Sequence, residues 1–257
     1  MTYICIGAPY FLGEHLPQRT EVESIEKTGI AGELGIPWIN VQPDFDHAPD
    51  PITAVNRAIA QVITDHKDRI PLIFSSDCSL ALGTVKGLGN SAILWLDAHG
   101  DFNTDETSPS GFLGGMPLAM LVGRGNMTYM KHLDLEPIPE AHVIITDARD
   151  LDPEEKTALE SSKVTWLKDI DMLFNTPLMQ KPYYIHFDLD VIDMEELPGM
   201  NYPTSNGTTV ETCKRIIAYV KAQTQIAGVL FSLWNDGLPT EGKSLAATLE
   251  LIRAVTS

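Results

Sequence analysis

Positive charge is what this chain has least of. Lys and Arg number 18 against 35 Asp and Glu, a formal net charge of -17 over 257 residues. A surface that acidic repels phosphate backbones and anionic bilayers, so neither nucleic acid nor a membrane surface is an expected partner. Cysteine is scarce too: Cys5, Cys78 and Cys213 are too few and too scattered for a disulfide framework. Cys5 and Cys213 read as small buried side chains. No apolar run approaches the roughly 20 residues of a membrane span. The opening MTYICIGAPY lacks the basic region and long apolar stretch of a signal peptide and reads as a strand. A cytoplasmic location is the expectation. Internal repeats and low-complexity linkers are absent as well, and the length suits one compact domain over residues 1–257.

What is present is an alternation of short β-rich runs with helical periodicity. The expected strands are Thr2–Ile6, Trp38–Val41, Leu72–Phe74, Ala92–Leu96, Val143–Ile145, Val164–Trp166, Tyr183–Leu189 and Ala227–Phe231. Several are apolar throughout, as in parallel strands covered on both faces. The clearest helix begins after Asp50, a candidate N-cap followed by Pro51, with Ile52, Val55, Ile59, Val62 and Ile63 at helical spacing. The pattern predicts an α/β fold: a three-layer α-β-α domain with a mostly parallel central sheet. Two irregular stretches, residues 100–115 and 193–207, each follow a strand that ends in carboxylates. Ligands of open parallel sheets bind outside the carboxyl ends of the strands, so these loops are placed to form a pocket.

The chemistry concentrates at those two strand ends. If Leu94–Asp101 stays extended, Asp97, His99 and Asp101 project to one side, and the same holds for His186, Asp188 and Asp190. Acids at this density after buried apolar runs are costly unless compensated, and cations compensate most directly. Oxygen ligands with one or two nitrogens suit Mn2+ and similar divalent ions. Read singly, each string admits a plainer account, with Asp97 and Asp188 capping helices or pairing with Lys and His99 filling the core. Two such strings at two strand ends favour metal.

These residues resemble the metal-binding motifs of the arginase/agmatinase (ureohydrolase) family. Asp97-Ala98-His99-Gly100-Asp101-Phe102-Asn103 looks like its D-A-H-x-D-x-N, and His186-Phe187-Asp188-Leu189-Asp190 with Asp193 looks like its S-x-D-x-D-x-x-D. Phe74-Ser75-Ser76-Asp77-Cys78-Ser79 is similar to its G-G-D-H-S element, and Ala148-Arg149-Asp150-Leu151-Asp152-Pro153-Glu154-Glu155 to its R-D-x-D-P-x-E element. All four occur in family order across most of the chain. The resemblance implies the arginase/deacetylase-like fold and two divalent metal ions, Mn2+ foremost, held by Cys78, Asp97, His99, Asp101, Asp188 and Asp190. A hydroxide bridging the ions would attack a guanidinium carbon, which is too resonance-stabilised for neutral water. Asp101, with Asp190 or Asp188, would share the ions, and Asp101 could carry the proton to the leaving amine. Asn103, Ser108 and Ser110 fall where arginases bind an α-carboxylate, and Asp152 and Glu155 where they bind the α-amino group. Each of these five is also an ordinary turn or helix-start residue. Together they imply an arginine-like amino acid as the small-molecule substrate. Relatives commonly assemble, so a homo-oligomer is possible.

The chain departs from the family at four places. Cys78 stands where the family has a histidine ligand; a thiolate is softer than imidazole and favours Zn2+, Fe2+ or Co2+, and the start of a helical stretch would favour that thiolate. Read otherwise, Cys78 is a small core residue. A cysteine here is similar to the branch that hydrolyses Nω-hydroxy-L-arginine. Gly114 replaces the proton-shuttling histidine of the N-L-H-G stretch. The late glutamate that grips the guanidinium falls at Leu233 or Trp234, with Asn235 and Asp236 as polar alternatives and Trp234 able to stack on a planar cation. His186 replaces a serine, as a donor behind the ligands or facing the metals. These changes leave two alternatives to an amidinohydrolase: a catalytically silent metal- or ligand-binding member, or a different amidohydrolase on the same scaffold.

Overall fold

The computed structural model describes residues 2–89 and 91–257. Eight strands form one sheet: β1 (Tyr3–Ala8), β2 (Trp38–Asn40), β3 (Ile70–Ser75), β4 (Ala92–Asp97), β5 (Val143–Asp147), β6 (Thr165–Leu167), β7 (Tyr183–Asp188) and β8 (Ile226–Ser232). Every expected strand is present, within a few residues at each end. Their order is β2-β1-β3-β8-β7-β4-β5-β6 and every pairing is parallel, so the sheet is wholly rather than mostly parallel. The inner strands β4 and β7 are buried along their whole length, which is why they read as unbroken apolar runs.

Helices α1 (Glu21–Lys27), α2 (Ile30–Glu33), α3 (Pro51–Asp65), α4 (Ala81–Leu88), α5 (Pro117–Leu121), α6 (Thr128–His132), α7 (Pro153–Glu160), α8 (Val210–Gln223) and α9 (Lys243–Thr256) cover both faces. On one face α1, α8 and α9 pack Ile25, Ile216 and Leu251 against Leu94, Ile185 and Phe231. On the other, α3, α4 and α5 pack Val55, Leu82 and Leu118 against Ile73, Trp95 and Tyr184. The result is the three-layer arrangement. Asp50 caps α3 as its position suggests, its carboxylate accepting from Thr53 N at 2.7 Å with Pro51 at the first turn.

The strand order sets the site. After β3 the chain crosses to β4, leaving a gap that β8 and β7 later fill. The carboxyl ends of β3, β8, β7 and β4 therefore lie side by side, a switch point of the kind where α/β sheets bind ligands.

Candidate metal centre

Regular strand geometry stops just where the acids begin. β4 ends at Asp97, and Asp101 has a left-handed backbone with φ 48°. The expectation that Asp97, His99 and Asp101 continue an extended strand is thus corrected. His99 is brought in by a turn in which its N–H donates to Asp97 Oδ1 at 2.7 Å. β7 likewise ends at Asp188, whose carboxylate caps a 3-10 turn over Leu189–Val191 through Asp190 N at 2.9 Å. The turn swings Asp190 away from Asp188 and toward His99.

Two groups of donors result. In the first, one ligand atom each from Cys78, Asp97, His186 and Asp188 all lie within 4.8 Å of one another, and all four side chains are buried. The Cys78 thiol donates to Asp188 Oδ2 at 2.9 Å and lies 3.4 Å from Ser232 Oγ at the end of β8. In the second, Asp97, His99 and Asp190 converge, with His99 Nδ1 2.9 Å from Asp190 Oδ2. Asp101 is in neither group. It is buried beside them, and its Oδ2 has no partner among the described residues.

Electrostatics show what the cluster lacks. Burial raises the carboxyls of Asp97, Asp101, Asp188 and Asp190 above the usual range, and the acids raise one another; Asp188 is pushed up to about 7 by burial and by Asp190. Burial would lower the His99 imidazole, but hydrogen bonds and charge from Asp190 and Asp97 push it up to about 12. Burial and the charges of Asp188, Asp101 and Asp97 raise the Cys78 thiol well above its ordinary value. With no cation present, the low-dielectric site and three acids outweigh what the start of the helical stretch gives a thiolate. A cation in the site would reverse that balance. Burial alone lowers His186, leaving it neutral.

The cluster floors a cavity of about 320 Å³. Asn103, Ser108, Ser110, Asp152 and Glu155 line it, as do Phe11, Asp150, Tyr202, Ser232 and Leu233. Asn103 Nδ2 donates to Asp152 Oδ2 at 2.9 Å, and Ser108 and Ser110 accept from the N–H groups of Gly111 and Phe112 at the rim. Glu155 accepts from Phe102 N at 2.9 Å and Asp152 N at 3.2 Å, so it fixes the loop that carries Asp101. Trp234 is not available to stack on a ligand: it is buried in the core, with its indole N–H on Asp236. Asp236 also accepts from Thr20 and Ser24. At this end of the cavity the wall is Leu233; neither Asn235 nor Asp236 lines it, although Asn235 Nδ2 donates at 3.0 Å to Asn201, which does. Phe11, Tyr202 and Ser232 escaped that reading. Ser232 was findable as the end of a strand at the switch point; Phe11 and Tyr202 reach the cavity from loops with no motif of their own.

The family model described as the Arginase family matches residues 28–230. The chain belongs to the arginase family. The arginase of Bacillus subtilis (strain 168) is 29% identical over 222 residues, which span 79% of this chain and 75% of that one. The arginase of Brevibacillus brevis is 34% identical over 177 residues, 62% of this chain and 59% of its own length. In three dimensions the crystal structure of Bacillus subtilis arginase superposes with a TM-score of 0.87 at 25% identity, covering 100% of this chain and 99% of the other. Formimidoylglutamase of Bacillus subtilis shares the fold, with a TM-score of 0.75 at 18% identity over 99% and 86% of the two chains. Like its arginase-family relatives, the chain is a metal-dependent hydrolase of C–N bonds other than peptide bonds. The family depends on paired divalent ions, typically Mn2+. The donors here fit such cations: four buried acids raise one another, and Asp101 Oδ2 and His186 Nε2 are buried without partners among the described residues. Among the described residues no helix is long and apolar enough to cross a membrane.

Proposed function

We propose that this chain is a binuclear-metal amidinohydrolase that cleaves the guanidino C–N bond of an arginine-like amino acid, with Nω-hydroxy-L-arginine preferred over arginine. The observation that carries the reading is the position of the acid, thiol and imidazole cluster at the floor of a cavity rimmed by Asn103, Ser108, Ser110 and Asp152. In it Cys78, Asp97, His99, Asp101, Asp188 and Asp190 would hold two ions, Mn2+ foremost. When bound, the pair supplies a hydroxide nucleophile at neutral pH and positive charge for the reacting centre. Asp101 takes up the nucleophile's proton and passes it to the leaving nitrogen. Its buried carboxyl, whose Oδ2 has no partner among the described residues, suits a group that exchanges protons with a ligand. The Ser108 and Ser110 hydroxyls and the Asn103 amide orient the α-carboxylate. Asp152 holds the α-amino group, and Glu155 keeps Asp152 and the Asp101 loop in register.

Gly114 and Leu233 set the preference within that class. No basic side chain from position 114 reaches the leaving group, and Leu233 offers the guanidinium no anion. A hydroxyguanidine ionises more readily than a guanidine and depends less on both. Protein loaded with Mn2+, Co2+ or Zn2+ should be incubated with arginine, Nω-hydroxyarginine, agmatine, guanidinobutyrate and formiminoglutamate. Ornithine and hydroxyurea are expected from hydroxyarginine at a rate at least about 10²-fold above that of ornithine and urea from arginine, in keeping with the worth of one missing acid–base group. Absence of turnover on every substrate and metal would refute an amidinohydrolase. Tight metal binding without turnover would leave the silent member, which the apolar Leu233 wall favours.

A further inference from the structure

One imidazole belongs to the first donor group but not to the six residues proposed to hold the ions. His186 has no exposed surface, and its Nε2 has no hydrogen-bond partner among the described residues. An unsatisfied ring nitrogen inside a protein is costly unless something fills it. We infer that His186 Nε2 is a metal ligand, completing the first half of the centre with Cys78, Asp97 and Asp188. The inference rests on the proposed metal pair and extends it to a residue outside the motif ligands.

Three features of the structure point the same way. One ring nitrogen of His186 and a ligand atom from each of Cys78, Asp97 and Asp188 lie within 4.8 Å of one another. The imidazole is held in one orientation, stacked on Trp95 with ring centroids 3.5 Å apart and planes 8° apart. Its other nitrogen, Nδ1, lies 3.0 Å from Tyr184 Oη. If Nδ1–H donates to that hydroxyl, the Nε2 lone pair is left for a cation, the tautomer that a ligating histidine needs. Trp95 also donates its indole N–H to Asp97 Oδ2 at 3.0 Å, so one side chain positions two of the four donors.

The architecture explains how a histidine comes to be here. His186 pairs with Trp95 on β4 and Leu230 on β8, two residues before Asp188 on the same face of β7. Cys78 reaches the same point from the turn after β3. The imidazole absent at position 78 is thus supplied by the next strand but one. Binding would displace the thiol proton that Asp188 now accepts, leaving a thiolate, an imidazole and two carboxylates. That donor set suits Zn2+, Co2+ or Fe2+, whereas Asp97, His99 and Asp190 form a harder, oxygen-richer half. The two halves should therefore differ in metal preference.

Co2+ is the probe, since it reports thiolate and imidazole ligation directly. Wild-type protein should bind two Co2+ per chain with a near-ultraviolet thiolate charge-transfer band. His186→Ser should weaken the thiolate-bearing site at least about tenfold and shift its visible ligand-field bands. Cys78→Ser should abolish the charge-transfer band and leave the second ion. A second measurement needs no variant: the Co2+ protein should show two hyperfine-shifted, exchangeable imidazole N–H resonances, from His99 and His186. Two Co2+ bound to His186→Ser with unchanged affinity and spectrum, or a single shifted N–H in the wild type, overturns the inference while leaving the metal pair intact. A wild-type chain that binds no Co2+ overturns both.

Discussion

A β-carbon at position 114 would come within 2.3 Å of the Phe112 ring. That ring stacks with Phe11 at 6.3 Å between centroids and tilts against Tyr202 at 5.4 Å. Phe112 therefore fills the space that a side chain at 114 would need, and the two positions are coupled. Gly114→His alone should drive the ring out of the rim and raise arginine turnover little. Phe112→Asn with Gly114→His, which restores the family's N-L-H-G stretch, should raise arginine turnover about 10²-fold and narrow the margin of hydroxyarginine. Steady-state rates on both substrates check this; additive single-variant effects would show that the positions are independent. At this scale the sequence was informative about residue types but not about spatial complements. The acids and Cys78 could be picked out because their types are chemically distinctive. Phe112 could not, because its role depends on what is missing two residues away.

At the scale of elements, periodicity was legible where burial enforces it. All eight strands and the start of α3 follow from apolar runs and a capping acid. What could not be read was how strands end. The left-handed Asp101 sits in a loop held by a side chain from a distant part of the chain, Glu155, while the local turn capped by Asp188 carries Asp190 into the second group. Asp190, for example, accepts from Ala98 N across the gap at 3.0 Å. The Asp50 cap offers a test of an element the sequence did specify. Burial raises its carboxyl, but hydrogen bonds from Thr53 and His132 outweigh that and hold it below the usual range. A carboxylate lowered in the folded state contributes stability above its unfolded pKa and loses it as pH falls through the folded one. Asp50→Ala should destabilise by about 1 kcal/mol near pH 7, and the difference should shrink below pH of about 4. Urea midpoints of the two proteins across that range measure it. A gap independent of pH would mean that the capping charge contributes nothing.

For the molecule as a whole, the net charge of -17 divides into two populations that respond to different agents. Most of the acids are exposed and repel one another through solvent. About 1 M salt shortens the screening length to about 3 Å and should relieve that repulsion. The four acids of the centre are buried beneath the cavity and lie beyond the reach of mobile ions. His99 offsets part of their mutual repulsion, and cations bound inside the site would offset the rest. A metal at 100 times its dissociation constant stabilises the native state by about 2.7 kcal/mol per site, or roughly 5–10 °C in Tm for a chain this long. Chelation should therefore lower Tm by about 10 °C or more once both ions leave. Adding salt should raise Tm of the loaded and stripped proteins alike and leave the gap between them nearly unchanged. Calorimetry of both forms at low and high salt reads the two effects separately. If salt alone closed the gap, the stabilising cations would be a diffuse surface atmosphere rather than ions held by Cys78, Asp97, His99, Asp101, Asp188 and Asp190.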